Sequence, residues 1–528
     1  MRDMTMVPAL WTRLTSGLCL ALVLFASIAP LHAQSDGCAS TADVACTEYG
    51  AVRGVVDGAV VSFRGIPYAQ PPTGDLRWRP PQPPAPWTGT RDGSTFGPVC
   101  PQLEGDDVVG NEDCLTLNVW APSGRTGQLL PVMVYLTGGG NHGQSGQGSG
   151  GSDFVGTRLT REGVVLVTVN IRLGALGFFT HPALDAESDR HTSGNYGTQD
   201  HLAMLRWVRQ NIRTFGGDPN KVFLFGTSAG GASICGLLTS PLAAGLVHGA
   251  AMESSVPTGC EYQTKAQAQM RTGAPLATAL GCTDARCLRG KSPRELVLAL
   301  RPNMNLFPRA YGPVVDGYVF PEQPIARIRA GQAAKVPVLM GNTREEAATW
   351  VDQLGPIDDA GGYQQALARL FGVALAPRVA AEYPASTFPS PRAAVVRAAT
   401  DGLFTCMTRR VTTALAATSE APVYRYLFTY VPELARDRFA GHSSELPFLY
   451  QSWRAYSPTA RDLAVSERMV GYWTSMAKSG RPGPDSWQPV TPRVPNLLEI
   501  SDTPTLRNGD ADAHCGFWEA AALPTPHL

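Results

Sequence analysis

The sequence predicts an α/β domain in which helices cover both faces of a mostly parallel β-sheet. Nearly continuous apolar runs at residues 131–136 and 164–170 have the length and composition of central strands. Between such runs, residues 199–212 repeat apolar side chains at helical spacing. Strands that alternate with helices in this way favour a parallel sheet with a helical layer on each face.

The other elements follow from the same patterns along the chain. The proline-rich segment 67–86 indicates an extended strap on the surface. Two long stretches, at about 260–330 and 350–420, are typical of helical insertions. We find no linker and therefore expect one domain over residues 34–528. A hairpin or meander is predicted at residues 50–66, and further strands at 115–120, 221–227, 250–255, 336–340 and 423–430.

The charge balance argues against a nucleic-acid partner. The chain has 528 residues, with 44 Lys and Arg against 44 Asp and Glu. Such a chain has no net positive field to attract a polyanion or an anionic membrane surface.

The amino terminus has the pattern of a secretory signal peptide. Arg2 and Arg13 precede an apolar run at residues 18–29, and polar residues follow Ala33, although Leu31 is a less usual residue three positions before the cleavage site. The run is shorter than the roughly 20 residues that span a bilayer, and no other segment is long enough. We expect residues 1–33 to be a cleaved signal, with no stable membrane span and with export to the periplasm or the medium.

Export would place the cysteines in a compartment where disulfides persist. The chain has 11 cysteines, of which Cys19 would leave with the signal. Short spacings predict three pairs, a long-range pair is the expected closure for two more cysteines, and Cys235 and Cys260 remain as a fifth pair or as two free thiols. The clustered Cys and His residues of a zinc site are not found in the sequence, so we expect no metal. The four pairs are Cys38 with Cys46, Cys100 with Cys114, Cys282 with Cys287, and Cys406 with Cys515.

The motif Gly226-Thr227-Ser228-Ala229-Gly230 lies where a buried strand turns into a helix of small residues. In a G-x-S-x-G turn the serine projects from a tight bend, and side chains two positions away would collide with the backbone. Ser228 is therefore the candidate nucleophile. The alternative is a serine in an ordinary strand-to-helix turn. An acid and a histidine at suitable positions later in the chain would favour the nucleophile.

A serine hydroxyl needs a base, and the base needs an acid to orient it. In this type of turn the three residues follow in the order serine, acid, histidine. Glu345 and Glu346 follow one predicted strand, and His442 follows the next. Spacing alone does not choose between the two glutamates. The other downstream histidines come too early in the chain or lie in or near its tail: His248, His514 and His527.

A glycine-rich loop after the strand at 131–136 offers the donors that acyl transfer needs. Backbone N–H groups aimed at the developing oxyanion are often worth about 3 kcal/mol each. We expect the N–H groups of Gly139, Gly140 and Ala229 to form this oxyanion hole.

These motifs resemble those of the type-B carboxylesterase family, which includes cholinesterases and bacterial carboxylesterases. Residues 112–119 (EDCLTLNV) are similar to one signature of the family, and residues 211–220 (NIRTFGGDPN) with 225–231 (FGTSAGG) are similar to its nucleophile signature. Matches run from about residue 50 to residue 518. The resemblance implies an α/β-hydrolase fold with large helical insertions, and no cofactor.

The resemblance also implies the roles of individual residues. It prefers Glu346 over Glu345 as the acid. The triad and oxyanion hole that it implies are Ser228, Glu346 and His442, with Gly139, Gly140 and Ala229. The disulfides that it implies are Cys100–Cys114, Cys282–Cys287, with a shorter loop than usual, and Cys406–Cys515.

Four positions depart from the family pattern. Thr227 stands where the family usually has a glutamate, so the position before the serine carries no negative charge. No tryptophan lies between Cys100 and Cys114 to bind a choline-like cation. We therefore do not expect a cholinesterase. The other departures are Thr137 for a histidine, Asn141 for an aromatic residue and Ala347 for a glycine.

The sequence thus predicts an exported serine carboxylic-ester hydrolase whose partners are a small ester and water. Tolerance of anionic or bulky esters is a hypothesis that follows from Thr227. One alternative is an amide, carbamate or lipid hydrolase of the same fold, because the same triad serves all of these. Another is a non-catalytic binding or adhesion relative, although such proteins typically lack the serine or the histidine.

Overall fold

A computed structural model describes most of the chain. The described residues are 38–124, 127–149, 152–255, 260–300, 311–434, 439–454, 456–483, 486–508 and 514–521. The predicted signal peptide, residues 1–33, lies outside them.

An eleven-stranded sheet runs through the centre of the described chain. In chain order its strands are β1 Val55–Asp57, β2 Val60–Pro67, β3 Thr116–Pro122, β4 Leu130–Leu136, β5 Val165–Val169, β6 Gly217–Thr227, β7 Gly249–Glu253, β8 Val338–Thr343, β9 Val423–Phe428, β10 Leu497–Ile500 and β11 Thr505–Arg507. In space they lie in the order β11-β10-β9-β8-β7-β6-β4-β5-β3-β2-β1. The strands from β10 to β5 are parallel, and the pairs at both edges are antiparallel. The predicted mostly parallel sheet is confirmed.

Short strands form smaller sheets beside the main one. They are Val44–Thr47, Gly50–Arg53 and Thr90–Asp92; Gln102–Glu104 and Asp107–Val109; Gly148–Ser149 and Ser152–Asp153; and Gln263–Thr264 and Val314–Val315.

Helices occupy the segments between the strands. In chain order they are α1 Thr157–Thr160, α2 Gly174–Phe178, α3 Pro182–Ala186, α4 Tyr196–Asn211, α5 Ala229–Thr239, α6 Lys265–Ala268, α7 Ala274–Ala279, α8 Ala285–Arg289, α9 Pro293–Ala299, α10 Pro324–Arg329, α11 Ala360–Phe371, α12 Ala376–Glu382, α13 Pro391–Thr400, α14 Cys406–Thr418, α15 Leu446–Tyr450, α16 Ala460–Ser479 and α17 Cys515–Ala521. Within the described part of the chain, no helix combines the length and apolar composition that a membrane crossing requires.

Both faces of the sheet are buried under helices, as the sequence predicts. On one face, side chains such as Val134 and Leu224 pack with α4, α5, α10 and α14. On the other, Tyr135, Phe225 and Tyr426 pack with α15 and α16. Burial on both faces explains why the central strands are apolar runs and do not alternate.

The predicted strands and the predicted helix are confirmed, with ends that differ by a few residues. Helix α16 and strands β10 and β11 were not predicted from the sequence. The four-residue β10 follows a proline-containing segment and is too short to show a period.

The strap at residues 67–86 is more buried than predicted. Trp78 is only 2% exposed, and its indole N–H donates to the Ala175 carbonyl at 2.9 Å. Arg77 is also buried, where it forms a salt bridge with Glu112. The strap is therefore anchored in the core by the neighbouring residues Arg77 and Trp78.

The helical insertion after β8 has its own small core. Residues from Ala347 to Met407 pack together with Trp518 of α17. The Cys406–Cys515 disulfide joins α14 to α17 in this cluster. The three disulfides predicted from short spacing and the expected long-range pair are present, and Cys235 and Cys260, which were left open, form the fifth.

Candidate active site

The Ser228 turn has a strained backbone. β6 ends at Thr227 and α5 begins at Ala229, so that Ser228 is the single residue between strand and helix. Its φ of 60° and ψ of −123° are rare for a residue with a side chain. Such a conformation costs about 1–3 kcal/mol and persists only where the surroundings hold it.

Two glycines make this turn possible because the end of β4 lies against it. A Cβ at Gly226 would come within 2.4 Å of the Leu136 carbonyl oxygen, and one at Gly230 within 2.1 Å. Real Cβ atoms do not approach this closely, so both positions exclude any side chain. This is the steric reason for the G-x-S-x-G pattern.

The glycine loop after Leu136 packs directly on the same turn. A Cβ at Gly138 would lie 2.8 Å from the Thr227 carbonyl oxygen and 3.0 Å from Ser228 Cβ. Gly139 and Gly140 then open a 3₁₀ turn with φ of 69° and 60°, in the left-handed region that favours glycine. Backbone N–H groups at the start of a helical turn have no acceptor within it, and the same holds for Ala229 at the start of α5.

Glu346 and His442 lie in contact. Glu346 is fully buried, and its Oε2 lies 2.5 Å from His442 Nδ1. The backbone N–H of Thr343 donates to Glu346 Oε1 at 2.8 Å, which holds the other oxygen of the carboxyl group. Glu345 makes a different contact: it accepts from the Ala440 N–H at 3.0 Å and its side chain is 34% exposed. Of the two glutamates, the structure brings only Glu346 to the histidine.

Residues of the insertion hold the imidazole of His442 in place. The His442 backbone N–H donates to Thr349 Oγ1 at 3.0 Å. The rings of Trp350 and Phe404 each lie 5.5 Å from the imidazole, centroid to centroid. These three residues were not predicted from the sequence, since their positions in the chain carry no signal of this contact.

The predicted site residues gather at the carboxyl end of the parallel strands. Thr227 of β6 is level with Glu253 of β7, which is level with Gly341 of β8, itself level with Tyr426 of β9. The segments that follow β6, β8 and β9 carry Ser228, Glu346 and His442. Open α/β sheets place their sites at this edge.

His248, which the sequence analysis excluded, serves the fold. It precedes β7, and its Nδ1 accepts from the Val222 N–H at 3.3 Å near the opposite end of the strands. Among the described residues, no group of three or more His, Cys, Asp or Glu side chains is arranged to hold a metal ion.

A carboxyl group that the sequence analysis missed lies behind the Ser228 turn. Glu253 is fully buried and accepts hydrogen bonds from Thr227 Oγ1 at 2.6 Å and from Trp473 Nε1 at 2.5 Å. Burial raises the pKa of Glu253 from 4.5 to about 7, although both donors favour the ionised form. The one available signal was a charged residue inside a short strand of small and apolar residues.

The sheet, the strand-to-helix turn and the strand-end loops define an α/β hydrolase. The sequence pattern of the carboxylesterase family matches residues 41–518. Fumonisin B1 esterase of Sphingopyxis macrogoltabida is 37% identical over 502 residues, which cover 90% of this chain and 89% of that protein. The chain belongs to the carboxylesterase family and is a carboxylic-ester hydrolase.

Two further comparisons agree with this assignment. Para-nitrobenzyl esterase of Bacillus subtilis (strain 168) is 32% identical over 495 residues, which cover 89% of this chain and 96% of that protein. A solved structure of PNB esterase matches with a TM-score of 0.78 at 32% identity, covering 91% of this chain and all of the other.

The close approach at Leu136 makes Gly230→Ala a test of the turn. We expect a loss of about a hundredfold or more in ester hydrolysis, because a displacement near 1 Å at a reacting group can cost that much. Gly471→Ala is the matched control, since a Cβ there meets no atom within 4 Å. Steady-state kinetics on purified, folded variants measures both, and wild-type activity in Gly230→Ala would contradict the steric account.

Proposed function

We propose that this chain is an exported serine carboxylic-ester hydrolase that works through an acyl-enzyme intermediate on Ser228. The 2.5 Å contact between Glu346 and His442, at the strand ends beside the strained Ser228, carries the proposal. The family membership supports it.

The first half-reaction forms the acyl-enzyme. His442 takes the proton of the Ser228 hydroxyl, whose oxygen attacks the ester carbonyl carbon. The negative charge on the carbonyl oxygen is stabilised by the N–H groups of Gly139, Gly140 and Ala229. The tetrahedral intermediate collapses, and the departing alkoxide receives the proton from His442.

The second half-reaction releases the acid. His442 takes a proton from water, the hydroxide attacks the acyl carbon, and the proton returns to Ser228 as the bond to its oxygen breaks. Glu346 accepts a hydrogen bond from His442 Nδ1–H throughout, which holds the ring and stabilises its charged form.

The substrate range that we propose includes anionic and bulky esters. Thr227 places no charge directly before the serine, and its hydroxyl donates to Glu253. A relative that is 37% identical is named for its action on fumonisin B1.

Export to the periplasm or the medium is also part of the proposal. The five disulfides support an oxidising compartment, as does the apolar amino-terminal segment of the sequence.

Ser228→Ala tests the nucleophile. We expect hydrolysis to fall by about four or more orders of magnitude and labelling by a fluorophosphonate probe to disappear. Ser233→Ala, a buried serine of the same helix α5, is the control and should be labelled like the wild type. Labelling that persists in Ser228→Ala would contradict the assignment of Ser228 as the nucleophile.

The neighbouring glutamates give a matched test of the acid. Glu346→Gln should lower kcat by about 10⁴-fold, because the amide favours the wrong tautomer of His442. Glu345→Gln should change kcat by less than about threefold, because the Glu345 side chain is partly exposed and bonds to Arg344 and the Ala440 N–H, while Glu346 makes the contact with His442. Steady-state kinetics at constant pH measures both, and the reverse pattern would move the role to Glu345.

A charge series tests the substrate range. Three aryl acetates that carry a sulfonate, a neutral group or a trimethylammonium group are compared by kcat/KM at pH 6. We expect the sulfonate ester to be hydrolysed within about tenfold of the neutral ester, since no fixed charge precedes the serine. A marked preference for the cationic ester over the other two would show the hypothesis to be wrong.

A further inference from the structure

Glu253 contacts the Ser228 turn through both its main chain and its side chain. Its carbonyl oxygen accepts the Ser228 N–H at 2.9 Å. Its carboxyl group accepts the Thr227 hydroxyl at 2.6 Å, and Trp473 of α16 donates to the other carboxyl oxygen. The residue is therefore in a position to hold the strained backbone at Ser228.

A buried carboxyl group is energetically unfavourable if its only role is to hold the turn. Burying it requires either loss of its charge or loss of the water around the charge. A glutamine of nearly the same shape would donate to Thr227 and accept from Trp473 without this cost. The ionisable group therefore calls for a role beyond hydrogen bonding.

The ionisable groups that face Glu253 have raised pKa values, so Glu253 is the member of the cluster that can change its charge near neutral pH. The pKa values of Tyr135, Tyr426 and Tyr450 are raised well above 10, chiefly by burial, so these phenols stay neutral. Burial, and then the charges of Glu346 and Glu253, raise the pKa of Glu445 well above its usual range.

The charge of Glu253 also affects the groups that lie near Glu346. Glu445 precedes α15 and accepts from Ser254 Oγ at 3.1 Å and from Tyr426 OH at 3.4 Å. Both Glu445 and Tyr426 have pKa values raised by Glu253 and by Glu346 together. Since Glu346 contacts His442, the cluster connects Glu253 electrostatically to the acid–base pair.

We propose that Glu253 is a positioning residue that holds the Ser228 turn through Thr227, and that its ionisation sets how the enzyme discriminates between anionic and cationic esters. This inference rests on the proposed hydrolase function at Ser228. With Glu253 protonated, the turn faces a neutral partner, and with Glu253 ionised it has a negative charge behind it. Position 227 carries no charge, but the neighbouring strand β7 carries Glu253, whose charge depends on pH.

The test is the ratio of kcat/KM for the sulfonate ester to that for the neutral ester, measured from pH 5.5 to 8.5. Any effect of pH that is common to the two substrates cancels in the ratio. We expect the wild-type ratio to fall by about three- to tenfold as pH rises through about 7, and the trimethylammonium ratio to rise. In Glu253→Gln both ratios should stay constant, because the amide reproduces the protonated acid.

Thr227→Val provides a second variant that keeps the carboxyl group. Removing the hydroxyl takes away a donor that favours the ionised form, so the midpoint of the ratio should move to higher pH. An unchanged midpoint, or a pH-dependent ratio that persists in Glu253→Gln, would overturn the proposal. The second result would assign the effect to Glu445. Ester hydrolysis lost in Ser228→Ala but pH-independent ratios in the wild type would leave the hydrolase standing and reject the inference.

Thermal unfolding locates the titration without any substrate. The pKa of Glu253 is raised in the folded protein, so the stability that it contributes is complete below about 4.5 and is lost as pH rises through about 7. The melting temperature of Glu253→Gln minus that of the wild type should therefore increase between pH 5 and pH 8.5. A constant difference between the two would show that Glu253 does not titrate in this range.

Discussion

The contact between the end of β4 and the Ser228 turn is the constraint on which the site depends. The Leu136 carbonyl lies where side chains at Gly226 and Gly230 would be, so the turn can close only with glycine at both positions. The loop that holds Gly139 and Gly140 begins immediately after Leu136. One backbone contact therefore sets the position of Ser228, the proposed nucleophile, relative to the proposed oxyanion donors. Precise placement of this kind is what electrostatic stabilisation of an oxyanion requires.

The acid and the histidine are placed by a different part of the molecule. Glu346 and His442 lie on loops after β8 and β9, and the insertion that packs beside them has its own apolar core. Trp350 and Phe404 of that insertion contact the imidazole, and the Cys406–Cys515 disulfide closes the cluster. The helical insertion thus supports the side chain of His442. Its length can vary only as far as this support for His442 is kept.

How far the sequence predicts the structure depends on whether a feature is local. The central strands, the Ser228 turn and the order of the triad residues are visible because each is encoded in a short run or in chain order. Spacing does not choose between Glu345 and Glu346, because the two residues are adjacent and differ in the direction of the side chain; only the family resemblance favours Glu346. Glu253 and Trp473, 220 residues apart, meet only after the sheet and α16 have packed together. No spacing rule could bring them together, and the same holds for Thr349 and His442.

The arrangement of carboxyl groups explains why threonine suits position 227. Glu253, Glu346 and Glu445 are all fully buried near the strand ends, and each charge there makes the next ionisation more costly. A glutamate at position 227 would project toward the carboxyl of Glu253, and the two would have to share a proton or titrate as a coupled pair. Threonine occupies the same place with a donor, which stabilises Glu253 in its ionised form and adds no charge. The departure at Thr227 and the buried Glu253 are therefore parts of one arrangement, and a change at either position alters the electrostatics of the other.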